Sequence, residues 1–244
     1  ALPSGAGTHM MGVEIYNGVM YVMGGFEGVS TSSANLRSSV YFSHLNSDGT
    51  MNSWQTGDSF GTARATFGGT FSYIWGAYIY ISGGCTTVNG SGYCTAFAED
   101  MQVISINSDG SLDGWHDMGI STARFGYNLV GWQGGLYRIG GCTEQDSSTG
   151  ECIASLADVD FGIVNPAGEV STVSITEPSG SGNCTGGSPY DCDIPPPGDD
   201  AGEGGQLLSM SVILNGYLYV IGGCVDYDCN GTSPAGDDYD ATGN

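Results

Sequence analysis

Four stretches of this chain end on the same pair of glycines, and that recurrence limits the fold more than any other feature. They are Val19-Met20-Tyr21-Val22-Met23-Gly24-Gly25, Tyr78-Ile79-Tyr80-Ile81-Ser82-Gly83-Gly84, Leu136-Tyr137-Arg138-Ile139-Gly140-Gly141 and Leu218-Tyr219-Val220-Ile221-Gly222-Gly223. Each is a short apolar run preceded by a turn and another apolar run. In the first and last the turn is Asn17-Gly18 and Asn215-Gly216, the strongest short-range hairpin signal. A second element follows: Val40 to Trp54 around Asn46-Ser47-Asp48-Gly49, then Val103 to Trp115 around Asn107-Ser108-Asp109-Gly110. A weaker copy runs from Val159 to Val170 with Asn165-Pro166-Ala167-Gly168 at its turn. Thr62-Ala63-Arg64 and Thr122-Ala123-Arg124 close the first two copies.

One unit is therefore two hairpins, four strands in about 60 residues. The 43 glycines punctuate short strands rather than a disordered tract. A four-stranded sheet cannot bury both faces alone, whereas sheets stacked against one another can. The glycine pair after a strand, the aromatic before it and the tryptophan of the final strand resemble the kelch repeat. The Asn-Ser-Asp-Gly turn followed by Trp is similar to a bacterial variety of it. The resemblance covers nearly the whole chain and implies an all-β fold: a kelch-like β-propeller of four-stranded antiparallel blades, about three and a half of them here. Residues 1–244 form a single segment with units at about 8–64, 65–124, 125–205 and a partial 206–244. The third unit departs from the pattern. Val173 stands in place of Trp, and residues 174–205 form a Pro-rich, acidic insert read as a loop. Because the last unit stops after two strands, the chain reads as a fragment of a longer protein, or as one whose missing strands come from a neighbour. The opening Ala1-Leu2-Pro3-Ser4-Gly5 reads as a processed or truncated start.

The repeat organises the eight cysteines. Cys85, Cys142 and Cys224 each follow a glycine pair and hold equivalent places in different blades, too far apart to bridge. Each needs a local partner, namely Cys94, Cys152 and Cys229. The first unit has Phe26 at that place and lacks the second cysteine as well. Cys184 and Cys192 pair within the insert. Such bridges are each worth roughly 2–3 kcal/mol in a chain-entropy account and imply an oxidising compartment. They are expected to pin polar loops that have no core of their own. Asn89-Gly90-Ser91, Asn183-Cys184-Thr185 and Asn230-Gly231-Thr232 are glycosylation acceptor patterns beside these loops.

Charge excludes whole classes of partner. There are 26 acidic and four basic residues, no lysine, and a net charge of -22, so phosphate backbones and anionic lipids are repelled. The longest apolar run, Ile74 to Ile81, is too short to span a bilayer. Neither a nucleic-acid partner nor a membrane span is expected.

The search for chemistry finds no catalytic set. His9, His44 and His116 share no repeat position, and no nucleophile elbow or phosphate-binding glycine loop is present. No cofactor and no metal are expected. Asp226, Asp228, Asp237, Asp238 and Asp240 are weak calcium candidates, set against a solvated acidic loop. Arg64 and Arg124 recur at one blade position, either as a hydrogen-bonding fork between blades or as a grip on an acidic ligand facing the centre. Trp54 and Trp115 read as packing between sheets.

The chain is thus expected to be a secreted or cell-surface binding or structural module, not an enzyme. An adhesin, an appendage or a filament component would fit. Its partners would be a protein or glycan at the cell exterior, with self-association possible through an unpaired strand edge. The alternative is part of a larger secreted kelch-type oxidase or carbohydrate-active enzyme whose catalytic residues lie outside this segment.

Overall fold

In the computed structural model the repeats build a series of antiparallel sheets. The structure describes residues 2–3, 5, 7–66, 71–120, 122–150, 152–156, 159–173 and 210–221. The chain begins with β1 (Thr8–His9), β2 (Gly12–Tyr16), β3 (Val19–Met23), β4 (Phe26–Glu27), β5 (Val40–His44) and β6 (Gln55–Gly57). The second unit holds β7 (Ser72–Trp75), β8 (Tyr78–Ser82), β9 (Cys85–Val88), β10 (Cys94–Phe97), β11 (Asp100–Ile106) and β12 (Leu112–Ile120). The third holds β13 (Asn128–Trp132), β14 (Gly135–Ile139), β15 (Cys142–Gln145), β16 (Cys152–Ser155), β17 (Val159–Val164) and β18 (Val170–Val173). The strand pair β19 (Met210–Leu214) and β20 (Tyr217–Ile221) follows.

Three four-stranded sheets result, in the orders β2-β3-β5-β6, β7-β8-β11-β12 and β13-β14-β17-β18. The turns explain the register of each first hairpin. Asn17 and Gly18 have φ of 47° and 75°, and Asn215 and Gly216 have 53° and 80°, as a two-residue type I′ turn requires. Gln133 and Gly134 adopt the same geometry at 46° and 83°. The second hairpin turns on Asn46, Asn107 or Asn165. Each asparagine carbonyl accepts the N–H of the glycine three residues on, at 2.9 Å. Asp48 and Asp109 cap these turns through the N–H of Thr50 (2.9 Å) and Ser111 (3.0 Å). Trp54 precedes β6 rather than lying within it. The chain there is held outside the ladder, because Asn52 N–H donates to His44 and Asn52 carbonyl accepts from Ser43 Oγ.

The first strands lie next to one another: β2 against β7, β7 against β13, and β13 against β19. Glycine permits the approach. A Cβ on Gly12 would sit 2.7 Å from Ser72 Oγ, and one on Gly131 would sit 2.4 Å from the Tyr73 ring. The main core runs between the sheets and includes Tyr21, Met23, Phe42, Ile79, Tyr80 and Ile104.

The cystine segments differ from the polar loops expected. Cys85 and Cys94 are disulfide-bonded, as are Cys142 and Cys152, with Cα atoms 5.8 and 5.9 Å apart. Each bridge joins two paired strands, β9 with β10 and β15 with β16. These strands were not legible because they are four residues long and broken by bulges. They do have cores. Phe26, Leu36, Ala65, Cys85, Val88 and Cys94 form one buried cluster, and Phe125, Cys142 and Cys152 form another.

In the three glycine pairs among the described residues both members are left-handed: Gly24 and Gly25 at 63° and 84°, Gly83 and Gly84 at 54° and 90°, Gly140 and Gly141 at 64° and 105°. Close approach adds a second requirement. A Cβ on Gly24 would lie 2.7 Å from the Arg64 carbonyl oxygen, and one on Gly83 would lie 2.6 Å from that of Arg124. Gly76 is also left-handed, at 59°, but faces open space. Gly83→Ala is therefore expected to cost several kcal/mol, well beyond the ~1–2 kcal/mol backbone penalty expected of Gly76→Ala. Urea denaturation of the two variants checks this, and equal losses would contradict the close-approach account.

Candidate functional site

The best-defined constellation of charged groups is the seam between successive units, where Arg64 and Arg124 sit. Arg64 is 0% exposed and Arg124 1%. The backbone of Arg64 is bound mainly to its own unit: its N–H donates to Arg37 carbonyl at 3.2 Å and its carbonyl accepts from Gly25 N–H at 2.8 Å. Its guanidinium reaches the next unit, donating to Gly83 carbonyl at 3.1 Å and to Asp100 at 2.8 Å. The adjoining Ala65 exchanges backbone hydrogen bonds with Cys85 at 3.0 and 2.9 Å. Arg124 repeats the arrangement one unit on. Its carbonyl accepts from Gly84 N–H at 2.9 Å, and its guanidinium donates to Gly140 carbonyl at 3.0 Å and to Asp160 at 2.9 Å. Phe125 pairs with Cys142 as Ala65 does with Cys85.

Of the two readings of the arginines, this geometry is the fork between units. A guanidinium with no exposed surface, already on a carboxylate and a carbonyl, presents nothing to an acidic ligand. Sequence reasoning missed its carboxylates. Asp100 and Asp160 each lie 36 residues beyond their arginine, a spacing that could have found them. Their register differs, however: Asp160 lies opposite Arg138, whereas the residue opposite Ile81 is Gln102. Arg138 also binds Asp160, so that one carboxylate joins two guanidiniums. Arg138 donates to Thr122 carbonyl at 3.0 Å and lies over the Tyr127 ring. The fourth arginine, Arg37, pairs with Glu27. All four basic residues of the chain are thus ion-paired to carboxylates. Burial pushes the Asp100 carboxyl up, but the hydrogen bonds and charge of Arg64 outweigh it and hold the group below the usual carboxylate range.

A second constellation joins the cystine hairpins to one another. Asn89 Nδ2 donates to Ser147 carbonyl at 2.5 Å, and Cys94 N–H donates to Gln145 at 2.6 Å. Phe97 stacks on Phe125 at 4.9 Å. Ser33 ties the first unit to Val88 through two hydrogen bonds of 3.0 and 2.9 Å. Asn89, an acceptor pattern in the sequence, is half-buried. Its Oδ1 also accepts from the N–H groups of Ser91 and Tyr93.

The remaining sequence candidates are scattered. Trp115 packs edge-on against Phe60 at 5.7 Å, and its Nε1 donates to Asp58 carbonyl at 2.8 Å, so it does join two sheets. Trp54 is half-buried. His9 stacks on Phe26, while His44 and His116 lie opposite Val19 and Val103 in separate sheets. Among the described residues no three His, Cys, Asp or Glu side chains group as a metal site would require. Cys184, Cys192, Cys224 and Cys229, Asn183 and Asn230, and Asp226, Asp228, Asp237, Asp238 and Asp240 lie outside the described residues, as does the rest of the insert.

One carboxylate was not anticipated. Glu14, on β2, accepts from Ser72 Oγ on β7 at 2.9 Å. Burial pushes its carboxyl up to about 7, against the opposing effect of the Ser72 hydrogen bond. Beside it Tyr73, on the same strand as Ser72, donates to Gly131 carbonyl on β13 at 3.1 Å. Three adjacent first strands are joined by this pair of contacts.

No family model matches the chain, and no curated protein matches it. A solved structure described as "Structure of YjhT" is similar to it in fold, with a TM-score of 0.57 at 15% identity. The match covers 91% of this chain and 61% of that one, so the chain spans less than two thirds of that structure. In the described residues no helix is long and apolar enough to cross a membrane.

Arg64→Ala removes the counter-charge of Asp100, which keeps its hydrogen bond from Gln102 Nε2, and the donor to the Gly83 carbonyl, at an expected cost of about 3–5 kcal/mol. Asp160→Asn is expected to cost more than Asp100→Asn, because two guanidiniums lose their counter-charge. Chemical denaturation of the three variants checks the order. Glu14 gives a pH signature of opposite sense. Its folded form holds a proton that the unfolded chain releases between about pH 4.5 and 7. This contribution is full below 4.5 and lost as pH rises through 7. Glu14→Gln should flatten the stability profile in that window and raise stability at pH 8 by on the order of 2 kcal/mol. An unchanged slope would contradict the burial of that carboxyl.

Proposed function

We propose that this chain is a secreted or cell-surface binding or structural module, not an enzyme, on a kelch-like β-propeller scaffold. The observation that carries the reading is the tier of cystine-closed hairpins, β9–β10 and β15–β16, tied edge to edge across successive units. Such a tier is braced by cystines and by hydrogen bonds between units, and disulfides persist where the medium is oxidising. The propeller reading is supported by the succession of first strands β2, β7, β13 and β19 side by side, and by sheets that bury their faces against neighbours. Three arginines are buried in ion pairs and the partly exposed Arg37 is paired with Glu27, so unpaired charge at the surface is acidic. That favours solubility in a crowded exterior and a neutral or cationic partner, such as a glycan or a protein, over nucleic acid or anionic lipid.

The experiment has two arms. Non-reducing peptide mapping of protein secreted from an oxidising host is expected to give Cys85–Cys94, Cys142–Cys152, Cys184–Cys192 and Cys224–Cys229. Arrays of glycans and extracellular proteins are expected to show saturable binding that is lost on reduction, with no oxidase or hydrolase turnover and no copper retained after dialysis. A Cys85–Cys142 bridge would break the repeat alignment. Near-stoichiometric copper would overturn the non-enzymatic reading.

A further inference from the structure

An asparagine followed by glycine is a reactive step, because the glycine nitrogen has no neighbouring side chain to shield it from the asparagine amide. Three such steps lie among the described residues: Asn17-Gly18, Asn89-Gly90 and Asn215-Gly216. Their settings differ. Asn17 and Asn215 are left-handed, at 47° and 53°, inside two-residue turns. Closing a five-membered ring between side chain and following nitrogen requires the backbone to leave that region, which the hairpin opposes. Asn89, in the turn between β9 and β10, is not left-handed.

The Asn89 amide is fixed at both of its polar atoms. Oδ1 accepts from Ser91 N–H at 3.0 Å and from Tyr93 N–H at 3.1 Å. Nδ2 donates to the Ser147 carbonyl of the next unit at 2.5 Å. The backbone is held too: Asn89 N–H donates to Tyr93 carbonyl at 2.9 Å and Asn89 carbonyl accepts from Gly92 N–H at 3.0 Å. The Cys85–Cys94 bridge closes the hairpin behind the turn. Neighbouring units wedge it in place, since a Cβ on Gly92 would collide with Thr31 Oγ1 and one on Gly150 with the Tyr93 ring. Gly90 itself is exposed, and a Cβ there would meet open space.

Two backbone N–H groups fixed on one amide oxygen are the arrangement that stabilises an oxyanion when the carbonyl carbon is attacked. Asn165 carries the same pair of donors, from Ala167 at 2.9 Å and Glu169 at 3.0 Å. It is followed by Pro166, which has no N–H to become a nucleophile. Asn89 joins both halves: an unhindered nitrogen and a pair of fixed donors.

We propose that Asn89-Gly90 is a self-modifying site, at which the folded hairpin promotes formation of a succinimide. The Gly90 nitrogen attacks Asn89 Cγ, and Oδ1 takes up the negative charge between the Ser91 and Tyr93 N–H groups. The Cγ–Nδ2 bond then breaks, the proton of the Gly90 nitrogen leaves with Nδ2 as ammonia, and the cyclic imide remains. Water opens the ring to aspartate or isoaspartate. The leaving atom is the one that ties this hairpin to Ser147. The reaction therefore severs that hydrogen bond, sets a further negative charge beside the carbonyl, and loosens the contact between β9–β10 and β15–β16 in one direction only. The site rests on the geometry of the turn and not on the extracellular reading.

The test uses the whole protein, oxidised and produced in a host without N-glycosylation, incubated at mildly alkaline pH both folded and in urea. Peptide mass spectrometry with hydroxylamine trapping of the imide follows the three Asn-Gly steps. In the folded protein Asn89 is expected to react about tenfold faster than Asn17 and Asn215, a modest share of what fixed oxyanion donors supply, while Asn165 stays intact. In urea the three rates are expected to converge. Gly90→Ala, which the open space accommodates, is expected to slow the reaction several-fold and leave the fold unchanged. Asn89→Asp carries the product's side chain. It is expected to keep both disulfides and to speed amide exchange at Cys94, whose N–H donates to Gln145 across the same contact. Three results would overturn the proposal: Asn89 reacting no faster than Asn17 and Asn215 in the folded protein; a preference for Asn89 that persists in urea, which would assign it to local sequence alone; or Cys94 exchange in Asn89→Asp equal to that of the unaltered protein, which would deny the loosening.

Discussion

The buried guanidinium between two units is the interaction on which the rest of the structure depends. A four-stranded sheet stacks on its neighbour through apolar side chains, but such packing is not directional and leaves the crossing segments undefined. Arg64 and Arg124 supply the direction. The carbonyl of each accepts from the glycine pair of the unit it leaves, and its side chain grips the carbonyl and carboxylate of the unit it enters. The glycine pairs are a consequence. At Gly24 and Gly83 the arginine carbonyl occupies the space a side chain would fill. The cystine hairpins follow too, since Cys85 and Cys142 begin immediately after those glycines and pair with the residue beyond the arginine.

This arrangement also accounts for the unusual charge balance. A chain with four cations and a formal charge of -22 repels itself, and a cation placed on the surface would contribute little to stability. Here every cation is ion-paired, and three of them are buried against carboxylates and carbonyls where removal of one partner is costly.

The legible part of the fold was whatever a single residue dictates locally. Asn17-Gly18 and Asn215-Gly216 specify their turn by backbone freedom, the glycine pairs mark the strand ends, and Asn46, Asn107 and Asn165 mark the second hairpins. The recurrence of Arg64 and Arg124 flagged the seam, but not what it binds, because Asp100 and Asp160 occupy different register positions and only the folded sheets bring them to equivalent points. Arg138 stood where Val22 and Ile81 stand in the other units, so nothing in the repeat singled it out. Nothing in the repeat singled out Glu14 either; its environment depends on Ser72, 58 positions away. The hairpins β9–β10 and β15–β16 were hidden by their shortness and polar composition, and their cores come from Phe26, Leu36 and Phe125 in other segments.

The central claim is that the guanidinium, and not apolar packing alone, holds each crossing carbonyl on the preceding glycine pair. Amide hydrogen exchange at Gly25 and Gly84 tests it most directly, because their N–H groups donate to Arg64 and Arg124. In Arg124→Lys, where the fork geometry is lost, Gly84 is expected to exchange far faster than in the unaltered protein, while Gly25 keeps its protection. Gly84 exchanging unchanged in that variant, or both amides accelerating together, would contradict the account.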